Sequence, residues 1–148
     1  MVNLFPIYII GLDKYQAVNS IHDFIEEDGL TPKNRCIIAH NSAFDRKFVH
    51  CLWEKVGKEF PANLWIDTIP MMRQFIKDAN LQNKKLKLAD CLNIVGCKTV
   101  KGEHNAKSDT RNLYYLYNDL IKKYHYVDYM QNCPMIKEQE QEQEQDED

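Results

Sequence analysis

The sequence lacks an apolar run of membrane-spanning length and a cysteine pattern typical of a metal centre. A transmembrane helix needs about 20 consecutive apolar residues, and polar or charged residues interrupt every apolar stretch of this 148-residue chain long before that. The five cysteines are an odd number without a Cys-x-x-Cys pair, so neither a disulfide framework nor a zinc site is expected. We therefore predict a protein outside the membrane in a reducing compartment.

The start of the chain also lacks the features of a secretory signal peptide. Residues 2–10 are mostly apolar, but no Lys or Arg precedes Lys14, and no small-residue cleavage site follows. Residues 5–10 instead have the composition of a strand or an apolar lead-in. The predicted location is intracellular, either cytoplasmic or nuclear, and not secreted.

A strong excess of basic charge is missing as well. The net charge is -3, yet the last twelve residues carry seven acids and one lysine, so the rest of the chain is about +3. That balance is compatible with a phosphate-bearing partner but does not predict one by itself. We expect one domain in residues 1–134 and a disordered acidic Glu/Gln-rich tail in residues 135–148.

Helical and strand-like patterns alternate along the chain, which predicts an α/β layered domain with few strands. Apolar residues spaced three or four apart indicate helices, and short continuous apolar runs indicate strands. The run at residues 35–40 suits a strand buried on both faces. In the helix after it, Phe44, Phe48, Leu52 and Val56 are predicted to share one face. The predicted helices are 15–28, 42–56, 69–78, 88–95 and 106–124, and the predicted strands are 5–10, 35–40 and 63–67.

Two stretches place a carboxylate about one turn inside a predicted helix. Asp45 follows Asn41 by four residues, Asp109 lies in the first turn of the last helix, and His104 lies in the loop before that helix. In open α/β sheets, ligands bind where strands end and helices begin. Two carboxylates and an imidazole at such a place suit a divalent metal, Mg²⁺ or Mn²⁺, and an attacking water. Ala106 is small enough for a substrate backbone to approach.

These stretches resemble two motifs of one enzyme family. Residues 39–45, Ala-His-Asn-Ser-Ala-Phe-Asp, resemble the second motif of the DEDDh exonucleases, the DnaQ-like group of the ribonuclease H fold. The pattern His104-x-Ala106-x-x-Asp109 resembles their third motif. The intervening residues 65–68 and 86–92 match in order and spacing, so the resemblance covers residues 7–123.

The resemblance implies metal-dependent hydrolysis of DNA or RNA from the 3′ end, with release of nucleoside monophosphates. It implies two Mg²⁺ or Mn²⁺ ions, with Asp45 and Asp109 as carboxylate ligands and His104 as the general base. It further implies that Asn41 braces the site or contacts the terminal nucleotide, and that Phe44 and Ala106 contact the substrate. The implied fold is a ribonuclease H-like exonuclease fold with flanking helices.

The chain departs from this family in its first motif. The Asp-x-Glu pair that supplies two further carboxylates does not occur in the 44 residues before Asp45. We therefore expect an N-terminally truncated fold whose exposed sheet edge pairs with a missing segment or a partner chain. Asp13, Glu26 and Glu27 are weak candidates to replace the pair. The alternatives are a non-catalytic nucleic-acid-binding or protein-interaction module, or a first motif encoded upstream of Met1.

Several polar and aromatic residues admit a structural interpretation beside the functional one. Asp67 is better explained as a helix cap than as a ligand. Tyr114, Tyr115 and Tyr117 fit packing better than base stacking. The basic residues around the proposed site suit either phosphate contacts or a solvated surface; they are Arg46, Lys47, Lys98, Lys101, Lys107 and Arg111.

Overall fold

Five helices and a two-stranded parallel sheet make up the part of the chain that the structure describes. The structure is a computed structural model and describes residues 13–82, 85–101 and 105–122. None of the described helices is both long and apolar enough to cross a membrane. The elements are α1 (Lys14–Glu26), a 3-10 turn (Pro32–Asn34), β1 (Cys36–Ala39), α2 (Ser42–Lys55), β2 (Leu64–Asp67), α3 (Thr68–Asp78), α4 (Leu88–Val95) and α5 (Ala106–Lys122).

The mixed α/β class predicted from the sequence is confirmed. The predicted helices and two of the three predicted strands occur where expected, with ends shifted by one or two residues. Three predictions lie outside the described residues: the strand at 5–10, the end of the last helix and the tail at 135–148. The described residues fall into two compact units, which we call the first unit (13–66) and the second unit (67–122).

The first unit is built around the packing of α1 and α2 near the sheet. Asp13 caps α1 because its side chain accepts the Gln16 N–H at 2.8 Å, while the Gln16 side chain accepts the Asp13 N–H at 3.4 Å. The ring of Phe60 meets that of Trp53 edge-on, with 5.0 Å between centroids, and stacks on Trp65 at 5.8 Å. The buried cluster comprises Val18, Ile21, Trp53, Phe60 and Ala62.

Two predictions about burial in this unit are wrong. Of the residues of β1, only Ala39 is buried, because the described sheet has just two strands and β1 is paired along one edge. In α2, Leu52 and Val56 pack on the core as expected, whereas Phe44 and Phe48 are 71% and 61% exposed. Residues four apart on a helix turn by about 40° at each step, so Phe44 and Val56 lie roughly 120° apart.

The buried indole N–H of Trp53 is satisfied by a hydrogen bond to α1. It donates to Nδ1 of His22 at 3.1 Å, and Nε2 of His22 lies 3.3 Å from a carboxylate oxygen of Glu26. The His22→Leu substitution keeps the bulk and removes the acceptor of a buried donor, so we expect the free energy of unfolding to fall by about 1–2 kcal/mol. Glu26→Ala removes only an exposed pair and should change it by less than about 0.5 kcal/mol. Urea denaturation followed by tryptophan fluorescence measures both; equal effects would contradict the assignment.

The second unit is helical apart from the last residue of β2. α3 buries Met71, Met72, Phe75 and Ile76 along one side, and α4 packs against α5. Cys91 of α4 is fully buried, and this burial, reinforced by the charge of Asp90, raises the pKa of its thiol to about 11. Cys91 therefore remains a neutral thiol and contributes to the core as a small apolar side chain.

Candidate functional site

The turn from β1 into α2 positions the first predicted carboxylate. β1 ends at Ala39, and Asn41 then takes a left-handed conformation, with φ 69° and ψ 59°. Its carbonyl accepts the Phe44 N–H at 3.2 Å, which starts the helix at once. Asparagine tolerates this conformation better than most residues other than glycine. Asn41 occupies the cap position of α2, although its side chain makes no capping hydrogen bond.

Asp45 lies in the first turn of α2, at the end of the apolar side of the helix. By helical spacing it is in line with Val49, Leu52 and Val56, all of which pack on the core of the first unit. Asp45 itself is half-buried. A carboxylate in the first turn is stabilised by the helix dipole. The sequence-predicted placement of Asp45 about one turn inside a helix after a strand is therefore confirmed.

The backbone requirement at Asn41 can be separated from any role of its amide. Asn41→Gly should leave the free energy of unfolding within about 0.5 kcal/mol, whereas Asn41→Ala should lower it by about 1 kcal/mol, because a Cβ without a local hydrogen-bonding group is strained at positive φ. Chemical denaturation checks this order. Because Asn41→Gly keeps the turn and removes the amide, a loss of oligonucleotide affinity in that variant would assign the amide to substrate. Equal stability of the Gly and Ala variants would contradict the backbone argument.

The start of α5 positions the second carboxylate in a similar way. The Asn105 side chain accepts the Lys107 N–H at 2.9 Å, and the Asn105 carbonyl accepts the Asp109 N–H at 2.9 Å. Asn105 therefore caps α5. Asp109 is exposed and, by helical spacing, lies in line with Leu113, Leu116 and Leu120. Ala106, also exposed, presents only a methyl group beside it.

A contact that the sequence does not indicate fixes the segment leading towards His104. The Asn112 side chain accepts the Val100 N–H at 2.8 Å and donates to the Val100 carbonyl at 3.4 Å. These two hydrogen bonds hold the segment 98–101 against the side of α5. The partners are twelve residues apart, and no local pattern marks either of them.

Asp67 acts as a helix cap, as expected. Its side chain accepts the Ile69 N–H at 2.9 Å, which satisfies a donor at the start of α3. A shallow surface depression in the first unit lies away from the predicted residues, since its lining includes none of Asn41, Phe44 and Asp45. It is lined by His50, Glu54, Gly57, Lys58, Glu59, Phe60 and Asn63.

The predicted site residues are distributed over both units. Asn41, Phe44 and Asp45 belong to the first unit, Ala106 and Asp109 to the second, and His104 lies outside the described residues. Within residues 13–82, 85–101 and 105–122, no three His, Cys, Asp or Glu side chains are grouped to hold a metal ion. These residues alone do not fit the two-metal centre that the resemblance implies. Comparison with known protein families, curated proteins and solved structures finds no match to this chain.

Proposed function

We propose that the chain carries the second- and third-motif parts of a DEDDh-type 3′–5′ exonuclease site on a ribonuclease H-like fold, and that it acts on the 3′ end of DNA or RNA. One observation supports this most directly. Both carboxylates picked out by motif, Asp45 and Asp109, lie in the first turn of a described helix, at the end of that helix's apolar side. Carboxylates in such positions face the boundary between core and solvent, where a substrate phosphate can be reached.

The remaining motif residues have chemically distinct parts in this proposal. Phe44, with 71% of its surface exposed, offers an aromatic face on which a terminal base can stack. Ala106 leaves room for the substrate backbone. His104, whose imidazole can accept a proton in its neutral form, takes the proton of the attacking water as general base.

A second candidate function is binding without hydrolysis. Two of the three acids that could replace the first motif already have structural partners: Asp13 caps α1, and Glu26 pairs with His22. The scaffold would then bind nucleic acid, or a protein partner, and leave the phosphodiester bond intact.

Incubation of the purified chain with 3′-labelled single-stranded DNA and RNA in Mn²⁺ separates the two functions. We expect release of labelled mononucleotides by the wild-type chain and none by His104→Ala purified in parallel, which excludes a contaminating nuclease. Oligonucleotide binding without release would overturn hydrolysis and favour the second function. Neither binding nor release would overturn both nucleic-acid functions and leave only the protein partner.

A further inference from the structure

One side of α5 carries basic and aromatic side chains together. Lys107, Arg111 and Tyr115 follow at intervals of four, so they lie along one side of the helix, with Tyr114 next to them. Lys107 and Arg111 are exposed, and the two tyrosines are half-buried. The Tyr114 and Tyr115 rings are 5.9 Å apart between centroids and tilted by 51°.

A further cation is held against this side of the helix. The Lys98 ammonium lies over the ring of Tyr115, 5.8 Å from its centroid, within the range of a cation–π interaction. The hydrogen bonds between Asn112 and Val100 fix the backbone two residues further on. These contacts hold Lys98 against Tyr115, which lies one helical turn beyond Arg111 on the same side of α5. We call Lys98, Lys107, Arg111, Tyr114 and Tyr115 the basic face.

The charge of the basic face is not neutralised within the described part of the chain. None of the carboxylates there forms an ion pair with Lys98, Lys107 or Arg111. Asp109 is two residues from Arg111 and projects from a different side of α5, because that step turns the helix by about 200°. Asp119, two turns beyond Arg111, already has another contact. Three cations thus face solvent beside two aromatic rings.

We propose that the basic face binds the phosphates of a single-stranded nucleic acid. This proposal rests on the proposed function, and it specifies that the substrate is single-stranded. Arg111 can hold a phosphate through two parallel N–H groups, whereas Lys98 and Lys107 act as point charges. A ring next to a row of cations suits a single strand because its bases are free to stack, whereas those of a duplex are paired and stacked on one another.

Salt dependence of binding tests the basic face. The affinity of a labelled single strand is measured by fluorescence anisotropy between 50 and 200 mM salt, without divalent metal. Each phosphate neutralised on a single strand contributes about 0.7 to the slope of log affinity against log salt. The variant Lys98→Ala/Lys107→Ala/Arg111→Ala should therefore show a slope shallower by about 2, with affinity at least about tenfold lower at 50 mM. Tyr114→Leu should weaken binding about fivefold and leave the slope unchanged.

A matched variant removes the same charge elsewhere. Lys33→Ala/Lys58→Ala/Lys77→Ala replaces three exposed lysines outside the basic face and should keep the wild-type slope to within about 0.5. The proposal would be overturned if both triple variants lost affinity equally, or if the slope of the first were unchanged. Equal affinity for a duplex of the same sequence would also overturn it. Mononucleotide release is measured separately. Hydrolysis by the wild-type chain with an unchanged salt slope in the first triple variant would reject only the proposal for the basic face. A changed slope without hydrolysis would reject only the proposed exonuclease activity.

Discussion

Asp109→Asn should lower mononucleotide release at least about hundredfold while leaving single-strand binding intact. The amide matches the carboxylate in size and removes its charge, and a positioned catalytic group contributes roughly a hundredfold or more. Asp109 is exposed in the first turn of α5, so the fold loses only its favourable contact with the helix dipole, about 0.3–1 kcal/mol. Single-strand binding should persist because the proposed phosphate-binding side chains of the basic face are unchanged. Release is followed by chromatography of the labelled products.

The same substitution at Asp45 tests whether the two carboxylates act together. Asp45→Asn should reduce release to a similar extent, and the double variant should lose little more, because groups that act as one unit are strongly non-additive. Asp23→Asn replaces an exposed acid of α1 and should keep the wild-type rate. Independent, multiplicative losses at Asp45 and Asp109 would contradict a shared site, and unchanged release in both would remove them from catalysis.

Local signals account for most of the secondary structure that the sequence predicts. Asn105 caps α5 as its side-chain chemistry suggests, and Gly96 ends α4 at φ 75°, a conformation that favours glycine. Such signals involve residues within one helical turn of each other. The exposure of Phe44 and Phe48 is decided instead by what packs against α2, and helical periodicity alone assigned them to the wrong side.

The same distinction between local signals and long-range packing applies to the candidate site. Motif spacing placed Asp45 and Asp109 in first turns correctly, because a strand end and a capping residue fix where a helix begins. Their convergence depends on packing between distant parts of the chain and stays a prediction, as does the role of His104. The Asn112 contact with Val100 was missed because it joins two segments through a single side chain.

Among the polar side chains of the first unit, Arg35 is expected to contribute most to the free energy of unfolding. It is only 5% exposed. Its Nη2 lies 2.5 Å from Oδ1 of Asp28, its Nε donates to Oδ2 of Asp28 at 2.9 Å, and Nη2 also donates to the Leu30 carbonyl at 2.7 Å. A further hydrogen bond runs from Nη1 to the Pro61 carbonyl. The guanidinium thus ties the segment before β1 to the segment before β2.

Arg35→Ala should lower the free energy of unfolding by about 3 kcal/mol, because it leaves a carboxylate and two carbonyls without their donor. Removing one partner of a buried ion pair costs about 3–5 kcal/mol. The lower end of that range applies here because the Asp28 side chain is 25% exposed. Lys33→Ala, at an exposed site two residues away, should change the free energy by less than about 0.5 kcal/mol. Guanidinium denaturation compares them. A small effect of Arg35→Ala would show that sheet hydrogen bonds and apolar packing hold β1 and β2 together without the guanidinium.

The pH dependence of this ion pair has a definite sign. Hydrogen bonds from Arg35 lower the pKa of the Asp28 carboxyl below its ordinary value, so the folded state holds the charged form more strongly than the unfolded chain does. The resulting stabilisation is complete above the unfolded pKa, about 3.9, and is lost as the pH falls through the lowered folded pKa. Asp28→Asn should therefore be less stable than wild type at pH 7, and the difference should shrink as the solution is acidified below about pH 4.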